Sequence, residues 1–321
     1  MLNHQENCMV RLIHSLTLIS TLTFLNSSAL GDDGGDKLSI LTDDASRQIL
    51  FKRIIEAEEK EPDLPGKPFK LNGSFTFPQN AEVDDKKPRE KSYFGVDISH
   101  HTNPSINFQN FKQQKISFVY AKATQGTKFK DGKFAEYYSA LAELPSNRRL
   151  LRGAYHFLTA EGDGGDQADT FVNFVSSNGG FGDQDLPPVV DLEWDAWKDN
   201  PDRWQNKTPD YIVGTALAFL NRVEERTGKV PMLYTTVSWW KERNIPVAEF
   251  KKFSHFKLWI ADYSKSSRAV EAPSVFPNST WHIWQFTSSA RVTSGYSKAL
   301  DANIFKGTPE EFKKFFGVAL P

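Results

Sequence analysis

In the run Pro188-Val189-Val190-Asp191-Leu192-Glu193, an apolar, β-branched stretch delivers two carboxylates two residues apart. If the run is a strand, period-two alternation puts both acids on one face with Cβ atoms about 6.5 Å apart. Side chains turned inward then reach the roughly 5–5.5 Å carboxyl separation of a retaining glycosidase, in which one carboxyl is kept protonated and the other ionised. Taken alone, an Asp-x-Glu at a strand end reads equally as a helix cap or a solvated pair. Two further aspartates change the balance. Asp97, in Gly95-Val96-Asp97-Ile98-Ser99, and Asp301, in Leu300-Asp301-Ala302-Asn303, lie in the first and last of a series of similar runs. An inward ring of four acids is hard to justify structurally, so hydrolysis of a glycosidic bond is the expected chemistry.

The elements that must position these acids begin at Tyr93. From there, short β-branched and aromatic runs alternate with helical or polar segments, the texture of parallel strands joined by crossovers. Eight runs are predicted as strands: Tyr93–Ser99, Phe118–Thr124, Leu151–Phe157, Pro187–Glu193, Val230–Thr236, Lys257–Tyr263, Trp281–Thr287 and Ala299–Ile304. Thr208-Pro209, a stripe of Ile212, Ala216, Phe219, Leu220 and Val223, and then Gly228 predict one capped helix. Thr308-Pro309-Glu310-Glu311 predicts a second, opened by a capping box. The expected fold is α/β, a closed TIM-like (β/α) barrel over residues 91–321 in which several short links leave helices reduced or missing.

Such a barrel presents its chemistry at the C-terminal ends of its strands. The predicted runs end in Asp97-Ile98-Ser99-His100, Lys122-Ala123-Thr124, Tyr155-His156, Asp191-Leu192-Glu193, Asp262-Tyr263 and Gln285, and the last carries Asp301. Trp194, Trp239 and Trp240 fall just past strand ends, where an indole could stack on a sugar, whereas Trp259 and Trp281 read as packing residues. Of His100 and His101, one is expected to buttress Asp97; no second ligand cluster stands at metal spacing, so neither a metal nor a cofactor is implied.

The N-terminal part has a different texture. Arg11, the apolar run Leu12–Leu25 and the small residues Ser27-Ser28-Ala29 predict a secretory signal over residues 1–31, too short and too rich in Ser and Thr to span a bilayer. The single cysteine, Cys8, falls inside it, so no disulfide framework is expected after cleavage. Residues 32–90 are charged and dense in proline, an extension rather than a packed layer, with a helix plausible from Ala45 to Lys60. Sequons at Asn72, Asn206 and Asn278 are expected on the surface. With 39 Lys plus Arg against 40 Asp plus Glu, the net charge of −1 gives no global pull toward nucleic acid or an anionic membrane. A secreted monomer acting on a glycan is expected.

Six ordered motifs carry a resemblance: Phe94-Gly95-Val96-Asp97-Ile98-Ser99-His100-His101, Phe118-Val119-Tyr120-Ala121-Lys122-Ala123-Thr124, Gly153-Ala154-Tyr155-His156-Phe157, Val190-Asp191-Leu192-Glu193, Leu258-Trp259-Ile260-Ala261-Asp262-Tyr263 and Trp284-Gln285-Phe286-Thr287. In order and spacing they resemble the glycoside hydrolase family 25 lysozymes of the Chalaropsis type, over about Tyr93 to Phe305. The resemblance implies an irregular, flattened barrel and cleavage of the β-1,4 bond between N-acetylmuramic acid and N-acetylglucosamine in peptidoglycan, with retention. By position it implies Glu193 as general acid/base and Asp191, Asp97 and Asp301 as assisting carboxylates. Asp191 is left either as nucleophile or as orienter of the substrate's own acetamido group. Tyr155, Asp262, Gln285, Lys122 and Trp194 are the expected substrate contacts. Where the family often shows a glutamate, this chain has Gln125, and Thr102 follows His101 where an amide side chain is commoner. Another barrel glycosidase such as a chitinase is disfavoured by Val189 and Val190, which stand in place of further acids. A non-catalytic glycan-binding barrel is disfavoured because a lectin needs no protonatable pair.

Overall fold

Valine-, isoleucine- and aromatic-rich runs fold as strands because their side chains pack well on a pleated surface. The computed structural model describes residues 71, 74–84, 86–102, 105–196 and 201–321. Among them, eight strands form the barrel: β1 (Ser92–Ile98), β2 (Ile116–Gln125), β3 (Leu151–Phe157), β4 (Val189–Asp191), β5 (Met232–Thr235), β6 (Lys257–Ala261), β7 (Trp281–Val292) and β8 (Leu300–Lys306). Strands β1 to β7 pair in chain order, all parallel. Strand β8 runs antiparallel to both β7 and β1 and closes the ring. The eighth run is thus a strand as expected, but it is reversed because the link from β7 is too short to carry a crossover helix.

Helices α1 (Phe134–Ala142), α2 (Gly164–Ser176), α3 (Pro209–Thr227), α4 (Val237–Glu242) and α5 (Lys265–Val270) follow β2 to β6, and α6 (Pro309–Phe316) ends the chain. Thr208 caps α3 by accepting from the Tyr211 N–H, and Gly228 closes it at φ 68°. The capping box of Thr308 and Glu311 opens α6. The side chain of His156 on β3 faces this helical layer, stacked 4.7 Å from Phe219 and 2.7 Å from the Thr124 hydroxyl. Burial pushes its pKa down to about 3, so it stays neutral.

The barrel interior is filled with aromatic rings below the rim. Tyr120 lies 4.9 Å from Trp259, and Tyr234 meets the same indole edge-on at 5.2 Å. Gly95 and Gly153 make room for them: a Cβ at either position would stand only 2.1 or 2.2 Å from the ring of Phe118 or Tyr120.

Between β7, β8 and β1, where crossover helices are missing, the N-terminal segment covers the sheet. Residues Thr76–Phe77 form a short strand parallel to Arg291–Val292 of β7. Phe75 packs 5.2 Å from Phe94 and 5.0 Å from Phe286, and Leu71, Phe75 and Phe77 are wholly buried. Arg89 is tied to Glu271 by a buried ion pair of 2.6 Å. The end of the expected extension is therefore a packed layer, because alternating Phe75 and Phe77 form an apolar face that the proline-dense composition around them disguises. The expected signal, the helix from Ala45 to Lys60, Cys8 and Asn72 lie outside the described residues. Asn206 and Asn278 are exposed.

Candidate active site

Strand β4 is three residues long, and its backbone is held from both sides. The Leu158 N–H donates to the Asp191 carbonyl at 2.9 Å, and the Leu192 N–H donates to the Tyr234 carbonyl at 2.9 Å. The Thr235 hydroxyl donates to the Leu192 carbonyl at 2.7 Å. Alternation therefore continues past the formal end of the strand: Leu192 is fully buried, while Asp191 and Glu193 both line the same hollow.

Asp97 near the end of β1 is the register partner of Asp301 near the start of β8. Because β8 is reversed, its beginning shares the rim with the C-terminal ends of the parallel strands. All four acids line one hollow of about 770 Å³, open mouth included, together with Lys122, Gln125, Tyr155, His101, Tyr234, Trp259 and Gln285. None of the four is more than 8% exposed.

Their surroundings differ. Asp97 Oδ2 accepts from Gln285 Nε2 and from Asn303 Nδ2, each at 2.7 Å. Asp191 Oδ1 and Glu193 Oε2 are buried without a hydrogen-bond partner among the described residues. Burial raises the Glu193 carboxyl well above the ordinary glutamate range, and the charges of Asp191, Asp97 and Asp301 push it the same way against the pull of Lys122. Burial raises Asp191 likewise, opposed by Lys122 and reinforced by Asp97. Like charges so close ionise stepwise, so the pair retains a proton where isolated carboxyls would have lost theirs. A carboxyl of this kind can deliver a proton near neutral pH.

Lys122 donates to Gln125 Oε1 at 2.7 Å and lies 4.7 Å over the Phe157 ring. Tyr155, Lys122 and Gln285 take their expected places in the hollow, although Gln285 has both amide atoms engaged within the protein. Trp194 and Asp262 do not line it. Trp194 is completely buried with its indole N–H on Glu242 at 2.7 Å, because the residue next to an inward acid on an extended chain points the other way. Asp262 is spent on its own loop, accepting from the Ser264 N–H at 2.9 Å, the Ser274 N–H at 2.6 Å and the Ser267 hydroxyl. Trp239 and Trp240 are buried as well, donating to Asp202 and to Thr235.

His100 turns to Asp131, with Nδ1 2.6 Å from Oδ2, so of the two histidines it is His101 that reaches the hollow with Asp97. Trp259, read as packing alone, also forms part of the floor. Tyr234 and Asn303 were missed. Asn303 stands two residues after Asp301, and the same period-two reading that paired Asp191 with Glu193 would have found it.

Residues 96–295 match the model of the glycosyl hydrolases family 25. Lysozyme M1 of Streptomyces globisporus is 35% identical over 224 residues, 67% of this chain and 68% of that protein. The N,O-diacetylmuramidase of a Chalaropsis species is 30% identical over 222 residues, 68% of this chain and 97% of that one. Among solved structures, a bacterial lysozyme from Streptomyces coelicolor superposes with a TM-score of 0.57 at 31% identity, covering 68% of this chain and 94% of its own. The matched span begins inside β1, and so leaves out the N-terminal layer that covers the reversed strand. With a closed eight-stranded barrel, a rim of four acids and a family match over most of the described residues, this chain belongs to the glycosyl hydrolases family 25.

Proposed function

We propose that the chain is a secreted muramidase that hydrolyses the β-1,4 bond between N-acetylmuramic acid and N-acetylglucosamine in peptidoglycan. The observation that carries the reading is the convergence of Asp97, Asp191, Glu193 and Asp301 on one sugar-sized hollow. The names of its relatives, a lysozyme and an N,O-diacetylmuramidase, support the choice of bond.

Glu193 is the general acid/base in this reading. Buried among negative charges, it keeps its proton until the glycosidic oxygen is within reach, then gives it to the leaving sugar. Asp191 attacks the ring carbon as the leaving sugar departs, giving a glycosyl–enzyme ester, or orients the acetamido group that attacks in its place. Asp97 stabilises the positive charge that builds on that carbon, and Asp301 adds to the same field. Glu193, now ionised, takes a proton from the incoming water, and two displacements leave the configuration retained. Tyr155 and Lys122 bind sugar hydroxyl or lactyl oxygens at the wall of the hollow. Digestion of purified peptidoglycan followed by mass spectrometry of the new reducing ends tests this: muramic acid supports the reading, and glucosamine overturns it.

A further inference from the structure

The two neutral amides that hold Asp97 are themselves held from behind. The indole N–H of Trp259 donates to Asn303 Oδ1 at 2.9 Å. The hydroxyl of Tyr234, at 2.8 Å, and that of Tyr263 both meet Gln285 Oε1. All five side chains are at least 95% buried. An indole N–H can donate but never accept, so a flipped Asn303 amide would set donor against donor at one end and oxygen against carboxylate at the other. Burial raises Tyr234 well above the usual tyrosine range, with nearby acids adding to the effect, so it remains a protonated donor to Gln285. Gly95, the register partner of Asn303, has no side chain to stand beside that amide.

We propose that Trp259 and Asn303, with Gln285 and its two tyrosines, are positioning residues that keep Asp97 ionised and fixed in direction, leaving the mobile proton of the site to Glu193 and Asp191. Two N–H donors on one carboxylate oxygen favour the charged form, since protonation there would cost both bonds. Asp191 on β4 and Glu193 just past it each have one buried oxygen with no such donor among the described residues. Labour is thus divided by hydrogen bonding as well as by depth: a permanent anion on β1, a proton carrier past the end of β4. The assignment rests on the muramidase reading for its consequence in catalysis, but not for its geometry. The charged and titratable groups that line the hollow with Asp97 are Asp301 from β8, Lys122 from β2, Tyr155 from β3, Asp191 from β4 and Glu193 just past it, Tyr234 from β5, and His101 beyond β1.

The test uses the full chain and the variants Asn303→Leu and Trp259→Phe. The acid limb of kcat/KM against pH is expected to move to higher pH in both, more in Asn303→Leu. There kcat falls roughly 10- to 100-fold, as for a misplaced catalytic group, while KM stays nearly constant. Folded variants whose acid limb does not move overturn the proposal, since a merely structural role would lower thermal stability and leave the limb in place. Should Asn303→Leu fail to fold, carbon-13 titration of the Asp97 carboxyl in the native protein decides, with Asp97→Asn identifying its signal. Persistence of the carboxylate below about pH 4, where an ordinary aspartate protonates, supports the clamp, and protonation above that range refutes it. That titration stands whatever bond the enzyme cuts.

Discussion

Asp97 and Asp301 lie directly opposite one another across the antiparallel β8–β1 ladder. Direct partners place their Cβ atoms about 4.5–5.5 Å apart, and like charges in that position are destabilising. The fold therefore sets two carboxylates side by side at the rim of the hollow. Asp301→Asn removes their repulsion, and is expected to stabilise the protein by about 0.2–1 kcal/mol at neutral pH while lowering turnover. Thermal unfolding beside an activity assay checks both halves, and a less stable variant contradicts the account.

Glu193→Gln keeps the shape of the side chain but cannot transfer a proton. A loss of at least about 100-fold in cell-wall hydrolysis is expected, with an unchanged circular dichroism spectrum. Full activity in this variant removes Glu193 from the acid/base role.

The same buried carboxyls set a pH dependence of stability. Asp191 and Glu193 are raised in the folded protein. The stability linked to their protonated forms is fully present below about pH 4 and is lost as pH climbs through their raised values. Asp191→Asn is thus expected to exceed the native protein by about 1–2 kcal/mol at pH 8, with the difference vanishing near pH 4. Denaturant midpoints across that range measure it; a gap that grows toward acid reverses the sign and defeats the argument.

Phe75 belongs to the layer outside the family match, yet it is wholly buried against Phe94 and Phe286. Phe75→Ala should cost about 3–5 kcal/mol, a large part of the 5–15 kcal/mol by which a typical protein is stable. Chemical denaturation reads this directly, and a cost under 1 kcal/mol would show that the segment is dispensable.

Trp194→Phe separates adjacency in sequence from adjacency in space. It loses the bond to Glu242 and some packing, so a lower melting temperature is expected with kcat/KM on cell walls within about twofold. A KM increase with unchanged stability would return Trp194 to the substrate.

Much of this arrangement could be read from the chain. Strand-forming runs bounded by caps and glycines located the barrel, and period-two spacing located Asp191 and Glu193. The direction of β8 could not be read, because Leu300-Asp301-Ala302-Asn303-Ile304 has the same pattern read either way and only the length of the preceding link decides. Asp262 misled for a similar reason: at a strand end, an acid facing substrate and an acid organising the next turn are spelled alike until Ser264 and Ser267 are seen donating to it. The Asp97 clamp eluded the sequence because Gln285 and Asn303 stand about two hundred residues from the carboxylate they hold, and none of the five side chains carries a charge to draw notice.

The seam of the barrel has a consequence for biosynthesis. Thr76 pairs beside Arg291, and Asp97 opposite Asp301, so the short strand at Thr76 gains its neighbour, and β1 its second one, only when the last strands have been made. Until then β1 leaves the ribosome with β2 on one side and an unpaired edge on the other. Contacts so distant along the chain make closure slow and leave the nascent polypeptide prone to aggregation, a burden for whatever chaperones receive it.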